Sequence, residues 1–134
     1  MLAILGLVVA VMMPPRSGAQ QALELRAAAR SVADGLARAR DRAVTTGQPS
    51  VLAIDVDRRR FEASGDRNPT ALPETARITL KTVTGAVADA GTGAIRFFPD
   101  GGSTGGGVVL ADGNWSWRIG VDWLTGRVEV QDDR

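Results

Sequence analysis

The first thirteen residues, Met1 to Met13, are apolar without a single charge and run directly into Pro14-Pro15. Any fold available to this chain must place that segment away from water, while the charged and Gly-punctuated remainder reads as soluble. At about 1.5 Å per residue, thirteen helical residues reach only ~20 Å, against a hydrocarbon core ~30 Å thick. Alone they do not span a bilayer comfortably. Two readings compete. A secretory signal peptide has an apolar region of this length and would be cut near Ser17-Gly18-Ala19, but its basic leader is absent. The reading we prefer is a transmembrane helix whose first part is missing before Met1, kinked or interrupted at Pro14 and resuming at about Gln20.

The residues beyond the two prolines support a helix. Ala22, Leu25, Ala29, Val32, Leu36, Ala39 and Ala43 recur at steps of three and four and trace one apolar stripe. The opposite face carries Glu24, Arg26, Arg30, Arg38, Arg40, Asp41 and Arg42 and is expected to be mostly solvated. Good helix formers dominate from Gln20 to Val44, and Thr45-Thr46-Gly47-Gln48-Pro49 supplies the stop. The expected helix, 20–46, faces a core with its Ala/Leu stripe.

Past Pro49 the period changes to two. Short strands are expected over Ser50 to Val56, around Phe61 and Ala63, around Ile78, Leu80 and Val83, then over Ala94 to Phe98, Val108 to Ala111, Trp115 to Val121 and Arg127 to Gln131. Asp66 to Pro73 and Val87 to Gly93 read as loops. One helix followed by about six or seven strands means an α+β fold. Short connections favour hairpins and meanders, hence antiparallel sheet laid across the helix. The division is an apolar anchor, 1–19, and a single head domain, 20–134, with the helix at 20–46 and a β-rich part at 50–131; roughly 120 residues suffice for one core.

Composition removes most chemistry. With no His and no Cys, the commonest general base, the commonest zinc ligands, disulfides and thiol nucleophiles are all excluded. A net charge of +1 offers no field for attracting nucleic acid. The run Asp100-Gly101-Gly102-Ser103-Thr104-Gly105-Gly106-Gly107 invites a phosphate loop, yet it leads into the apparent strand Val108-Val109-Leu110 and not into a Lys-Ser/Thr helix. It reads as a strand connection that Asp100 and Ser103 help to fix by bonding backbone amides. Asp55 and Asp57 would share a strand face, but Arg58-Arg59-Arg60 comes directly after them and points to a solvated turn. Trp115, Trp117 and Trp123 read as anchors for the core or for a neighbouring subunit.

The segment Ile95-Arg96-Phe97-Phe98-Pro99-Asp100-Gly101-Gly102-Ser103-Thr104-Gly105-Gly106, with Trp117 and then Val121-Asp122-Trp123-Leu124-Thr125-Gly126-Arg127-Val128, resembles the C-terminal pattern of the H-type minor pseudopilins of type II secretion systems. Leu2-Ala3-Ile4-Leu5-Gly6-Leu7 resembles the middle of the prepilin-type N-terminal helix. The family's prepilin peptidase site has no counterpart before Met1. By that comparison the chain starts inside the mature helix, and about eight further residues would bring the apolar stretch to ~21, the length a bilayer needs.

The resemblance implies a pilin-like fold and a structural subunit of a pseudopilus, the filament that helps drive folded proteins across the outer membrane. It implies no catalysis, no cofactor, no metal and no small-molecule substrate. Expected partners are other minor and major pseudopilins and, before assembly, the inner membrane, which the chain would cross once with its C-terminal domain in the periplasm; nucleic acid is not an expected partner. Leu2, Ile4, Leu5, Leu7, Val8, Val11 and Pro14 would belong to the membrane and filament-core helix. Phe97, Phe98, Pro99, Asp100, Gly101, Ser103, Gly105, Gly106, Asp122, Thr125, Gly126 and Arg127 would carry the head-domain signature. Two alternatives stay open: a minor pilin of a type IV pilus serving DNA uptake, and a small periplasmic enzyme behind a cleaved signal peptide.

Overall fold

The computed structural model describes residues 18–81, 87–88 and 91–132. The apolar segment, with Leu2, Ile4, Leu5, Leu7, Val8, Val11 and Pro14, and the strand position Val83 lie outside the described residues. Among those described, no helix is long and apolar enough to cross a membrane.

Among the described residues there is one helix, α1 (Gly18–Thr46), which already includes Gly18 and Ala19, ahead of the expected start at 20. Its stripe is real. Leu25, Ala29, Val32, Leu36, Ala39 and Ala43 are buried at 1% exposure or less, whereas Ala22 is only half-buried. Small side chains at 29, 39 and 43 let the helix axis approach the strands closely. Gly35 marks the tightest point, because a Cβ there would come within 2.8 Å of Leu52 Cδ1 and 2.9 Å of Phe61 Cε2. A mid-helix glycine, which costs about 1 kcal/mol in propensity, is here required by packing.

Among the described residues nine strands come after the helix: β1 (Ser50–Asp55), β2 (Arg60–Ala63), β3 (Thr70–Ala71), β4 (Arg77–Lys81), β5 (Val87–Ala88), β6 (Thr92–Phe97), β7 (Gly106–Asp112), β8 (Trp115–Val121) and β9 (Val128–Asp132). They form two antiparallel sheets, of order β3-β2-β1-β6 and β5-β4-β7-β8-β9. Leu52, Ile54, Phe61, Ile95 and Phe97 from the first, with Leu80, Val108, Leu110 and Ile119 from the second, join the helix stripe in one core.

Hairpins and meanders account for only part of this topology. The chain leaves the first sheet after β3, forms β4 and β5 in the second, and returns as β6 beside β1 before entering β7 beside β4. Two stretches expected to be loops contain strand. Thr70–Ala71 pairs with Arg60 and Phe61, and Val87–Ala88 pairs with Leu80 and Lys81. Backbone pairing alone makes these two-residue strands, so no apolar alternation announces them. Gly93, expected in a loop, is inside β6, where a Cβ would overlap Leu80 Cδ2 of the other sheet. A strand glycine there permits close approach.

Asp55 and Asp57 do not form a pair on a strand face. β1 ends at Asp55, whose Oδ1 accepts a bond from the Arg58 amide (3.0 Å), and Asp57 is exposed in the turn. Trp115 and Trp117 pack partly buried on the core, while Trp123 is 68% exposed.

Candidate functional site

The signature residues gather on two connections that lie against each other, β6–β7 (residues 98–105) and β8–β9 (residues 122–127). Each is shaped by its own sequence. Phe98-Pro99-Asp100-Gly101 has proline and glycine at the positions a tight turn favours, and the Gly101 amide donates to Phe98 O (2.9 Å). Gly101 takes φ +93°, and the Phe98 amide then donates to Gly102 O (2.9 Å), closing a three-residue hairpin. In the second connection Asp122 Oδ1 accepts from the amides of Leu124 (2.8 Å) and Thr125 (3.3 Å), the Gly126 amide donates to Asp122 O (2.8 Å), and Thr125 Oγ1 accepts from the Arg127 amide (3.2 Å).

Ser103 ties the two together. It is 6% exposed, its amide donates to Trp123 O (2.8 Å), its hydroxyl donates to Asp122 O (2.9 Å) and the same oxygen accepts from the Gly105 amide (2.9 Å). Gly105 is held at φ +74°, and a Cβ there would press on Trp123 Cβ at 3.1 Å. Gly106 is next, at φ +112° at the start of β7.

A residue from the helix completes the arrangement. Arg40, expected to be solvated, is half-buried, and its Nε donates to both Gly101 O (3.3 Å) and Thr125 O (3.2 Å). Nothing in the sequence distinguishes it from the other arginines of α1. Its role comes from its angular position on the flank of the stripe nearest β9.

This geometry decides between two uses of the glycine-rich run. A phosphate cradle needs free amides. Here the amides of residues 101 to 105 donate in turn to Phe98 O, Asp100 Oδ1, Trp123 O, Arg96 O and Ser103 Oγ. The carboxylates of Asp100 and Asp122 are likewise engaged with backbone amides, and among the described residues no group of three or more acidic, His or Cys side chains is placed to hold a metal. Phe97 is wholly buried and belongs to the core. Arg127 is exposed and lies 3.7 Å from Glu129. On this braced scaffold stand three exposed apolar side chains, Phe98 (36%), Trp123 (68%) and Leu124 (67%). Rigidly held exposed apolar groups suit contact with protein better than chemistry.

Residues 28–125, which contain the whole of the first connection and most of the second, match the family described as Type II transport protein GspH. The chain belongs to the GspH family. It is 35% identical over 112 residues to the Type II secretion system protein H of Xanthomonas campestris pv. campestris, an alignment that covers 84% of this chain and 66% of the relative. The chain thus spans about two thirds of that relative's length.

Solved structures show the same build. The minor pseudopilin EpsH from the type 2 secretion system of Vibrio cholerae superposes with a TM-score of 0.64 at 20% identity, over 81% of this chain and 97% of that one. A second EpsH crystal structure gives 0.67 at 17% identity, covering 82% and 97%. The type IV minor pilin FimU of Pseudomonas aeruginosa gives 0.59 at 17% identity, covering 81% and 88%. At these identities the likeness is one of fold: a long N-terminal helix on antiparallel sheets, pilin-like, as the sequence leads one to expect.

Proposed function

We infer that this GspH-family chain is a minor pseudopilin, a structural subunit of the type II secretion pseudopilus that takes part in exporting folded proteins and catalyses no reaction itself. Residues 1–19 anchor it in the inner membrane and later enter the filament core; residues 20–134 form the periplasmic head. Its partners are other minor and major pseudopilins.

The observation that carries this reading is where α1 leaves the head. No side chain between Gly18 and Glu24 is buried, so the helix projects about 10 Å beyond the core, toward the apolar segment that precedes it in sequence. Such a projection supports a continuous axial element that passes from lipid to neighbouring subunits, which offer equivalent apolar burial. Contacts that use different patches on the two partners and do not close generate a filament.

Replacement of the chain in a secreting cell tests this. Loss of secreted proteins from the medium, their folded accumulation in the periplasm, and recovery of sister pseudopilins with the tagged chain are expected. Unimpaired secretion, or purification without any pilin-type partner, overturns the reading. The FimU likeness keeps a type IV pilus in view; salt-sensitive DNA binding by the head in a gel shift would favour it.

A further inference from the structure

Among the described residues the two sheets end in four edge strands, and three of these are short or partly covered. β3 and β5 are two residues long. The free side of β6 is taken at Arg96, whose carbonyl accepts from the Thr104 amide (2.9 Å) and whose amide donates to Thr104 Oγ1 (3.1 Å). β9 is five residues long and has no proline, lysine or bulge to blunt it.

The register tells which backbone groups of β9 point outward. A two-residue turn at 113–114 makes Asp112 and Trp115 a hydrogen-bonded pair. Trp117, Ile119 and Val121 therefore turn their amides and carbonyls to β7, while Arg118 and Gly120 turn theirs to β9. The Asp122 amide, donating to Arg127 O (2.9 Å), sets the same alternation from the other end. Glu129 and Gln131 thus bond β8, and Val128 and Val130 direct their N–H and C=O groups away from the sheet, where no described backbone pairs with them. Beside that edge, α1 and the start of β9 border a cleft of about 470 Å³ lined in part by Ala37, Asp41 and Val128. Val130, on the same face as Val128, is 37% exposed.

We propose that β9 is completed by an extended edge strand of a different pilin-type head, whose main chain pairs with Val128 and Val130 and whose alternate apolar side chains enter the cleft beside Ala37. This rests on the membrane-anchored assembly reading. Geometry rules out a second copy as the occupant. Neighbouring antiparallel strands are related by a two-fold axis perpendicular to their sheet, and that axis reverses a helix lying on the sheet face. Because α1 lies on β8 and β9, pairing β9 with another β9 would point the two apolar segments in opposite directions, whereas one bilayer holds them parallel. The remaining edges of a second copy are too short or too covered to serve. The contact joins two unlike chains and ends there, without repeating.

Photo-cross-linking of the full-length chain in secreting cells tests this, with benzoylphenylalanine, a photo-reactive residue, in place of Gln131. Irradiation is expected to join the chain to one other pilin-type protein, identified by mass spectrometry. Val130→Pro removes an outward N–H without touching the β8 ladder and should cut that adduct roughly two- to ten-fold, the weight of one main-chain bond. Val130→Lys, which blunts the edge without constraining the backbone, should lower it as well, and Val130→Thr should keep it. Thermal unfolding of the three variants checks that the head is intact. No adduct, an adduct only with a second copy or a secreted protein, or a yield indifferent to both Val130→Pro and Val130→Lys overturns the proposal. If secretion and sister-pseudopilin recovery persist in that case, the assembly reading survives and only the β9 contact fails.

Discussion

Gly126 lies so close beneath the carbonyl oxygen of Gly101 that a Cβ at position 126 would overlap it, and the same atom would come within 2.9 Å of Arg40 Nε. Position 126 also has φ +69°. Gly126→Ala therefore combines left-handed backbone strain with a backbone collision that no rotamer relieves. We expect a loss of about 2–4 kcal/mol. The control is Gly113→Ala, at φ +61° in the β7–β8 turn, where an added Cβ meets nothing within 4 Å. That substitution should cost about 1–2 kcal/mol. Denaturant melts of the two variants separate strain from collision.

Arg40 holds both connections through one nitrogen, and lysine has no equivalent of Nε. Arg40→Lys should thus resemble Arg40→Ala more than wild type, each losing about 1–3 kcal/mol. Hydrogen exchange gives the sharper measurement. Amides of residues 101–105 and 122–127 should exchange faster in both variants, while those of β1 and β2 stay protected. Recovery of wild-type protection by lysine would show that charge, not geometry, is what the loops require.

These two positions show what the sequence reveals and what it hides. The α1 stripe is legible because one period of 3.6 runs through seven positions, β8 because Trp115, Trp117, Ile119 and Val121 alternate along it, and β7 because Val108-Val109-Leu110-Ala111 is a short apolar run between Gly107 and Asp112. Division into two sheets is not legible: the pairing of β1 with β6 joins residues such as Leu52 and Ile95 across more than forty intervening positions. Gly93 misleads because a glycine in a strand and a glycine in a loop look alike until Leu80 is placed beside it. The signature from Phe97 to Arg127 is recognisable only by resemblance. Its physical meaning, two connections sharing Ser103 and Arg40, is a property of the fold.

Acid sensitivity should have one identifiable contributor. The Ala63 amide donates to Asp66 Oδ2 (2.9 Å) and, with the Arg38 guanidinium 3.2 Å away, lowers the carboxyl below its ordinary value against an opposing desolvation. A carboxyl lowered in the native state stabilises fully above its unfolded value, about 3.9, and loses that contribution as pH falls through the native value. Asp66→Asn should therefore cost about 0.5–1 kcal/mol near neutrality, with the deficit shrinking below about pH 4. Unfolding midpoints between pH 7 and pH 3 measure it; a deficit that grows with acidity would contradict the assignment.

Two buried serines should respond to alanine with opposite sign. Ser103 Oγ donates to Asp122 O and accepts from Gly105 N, so its removal strands the buried Gly105 amide and leaves Asp122 O with the Gly126 amide as its donor. An unsatisfied buried group costs about 1–3 kcal/mol, which is the loss expected for Ser103→Ala. Ser50 is more deeply buried, at 2% exposure, yet its Oγ has no hydrogen-bond partner among the described residues. Its hydroxyl was desolvated on folding without compensation, so Ser50→Ala deletes a penalty and should leave stability unchanged or raise it by up to about 1 kcal/mol. Burial alone would rank Ser50→Ala as the more damaging change. Chemical denaturation of both single variants and the double decides the matter: with no shared partner, their effects should add to within about 0.5 kcal/mol, and the sign at position 50 should be the reverse of that at 103.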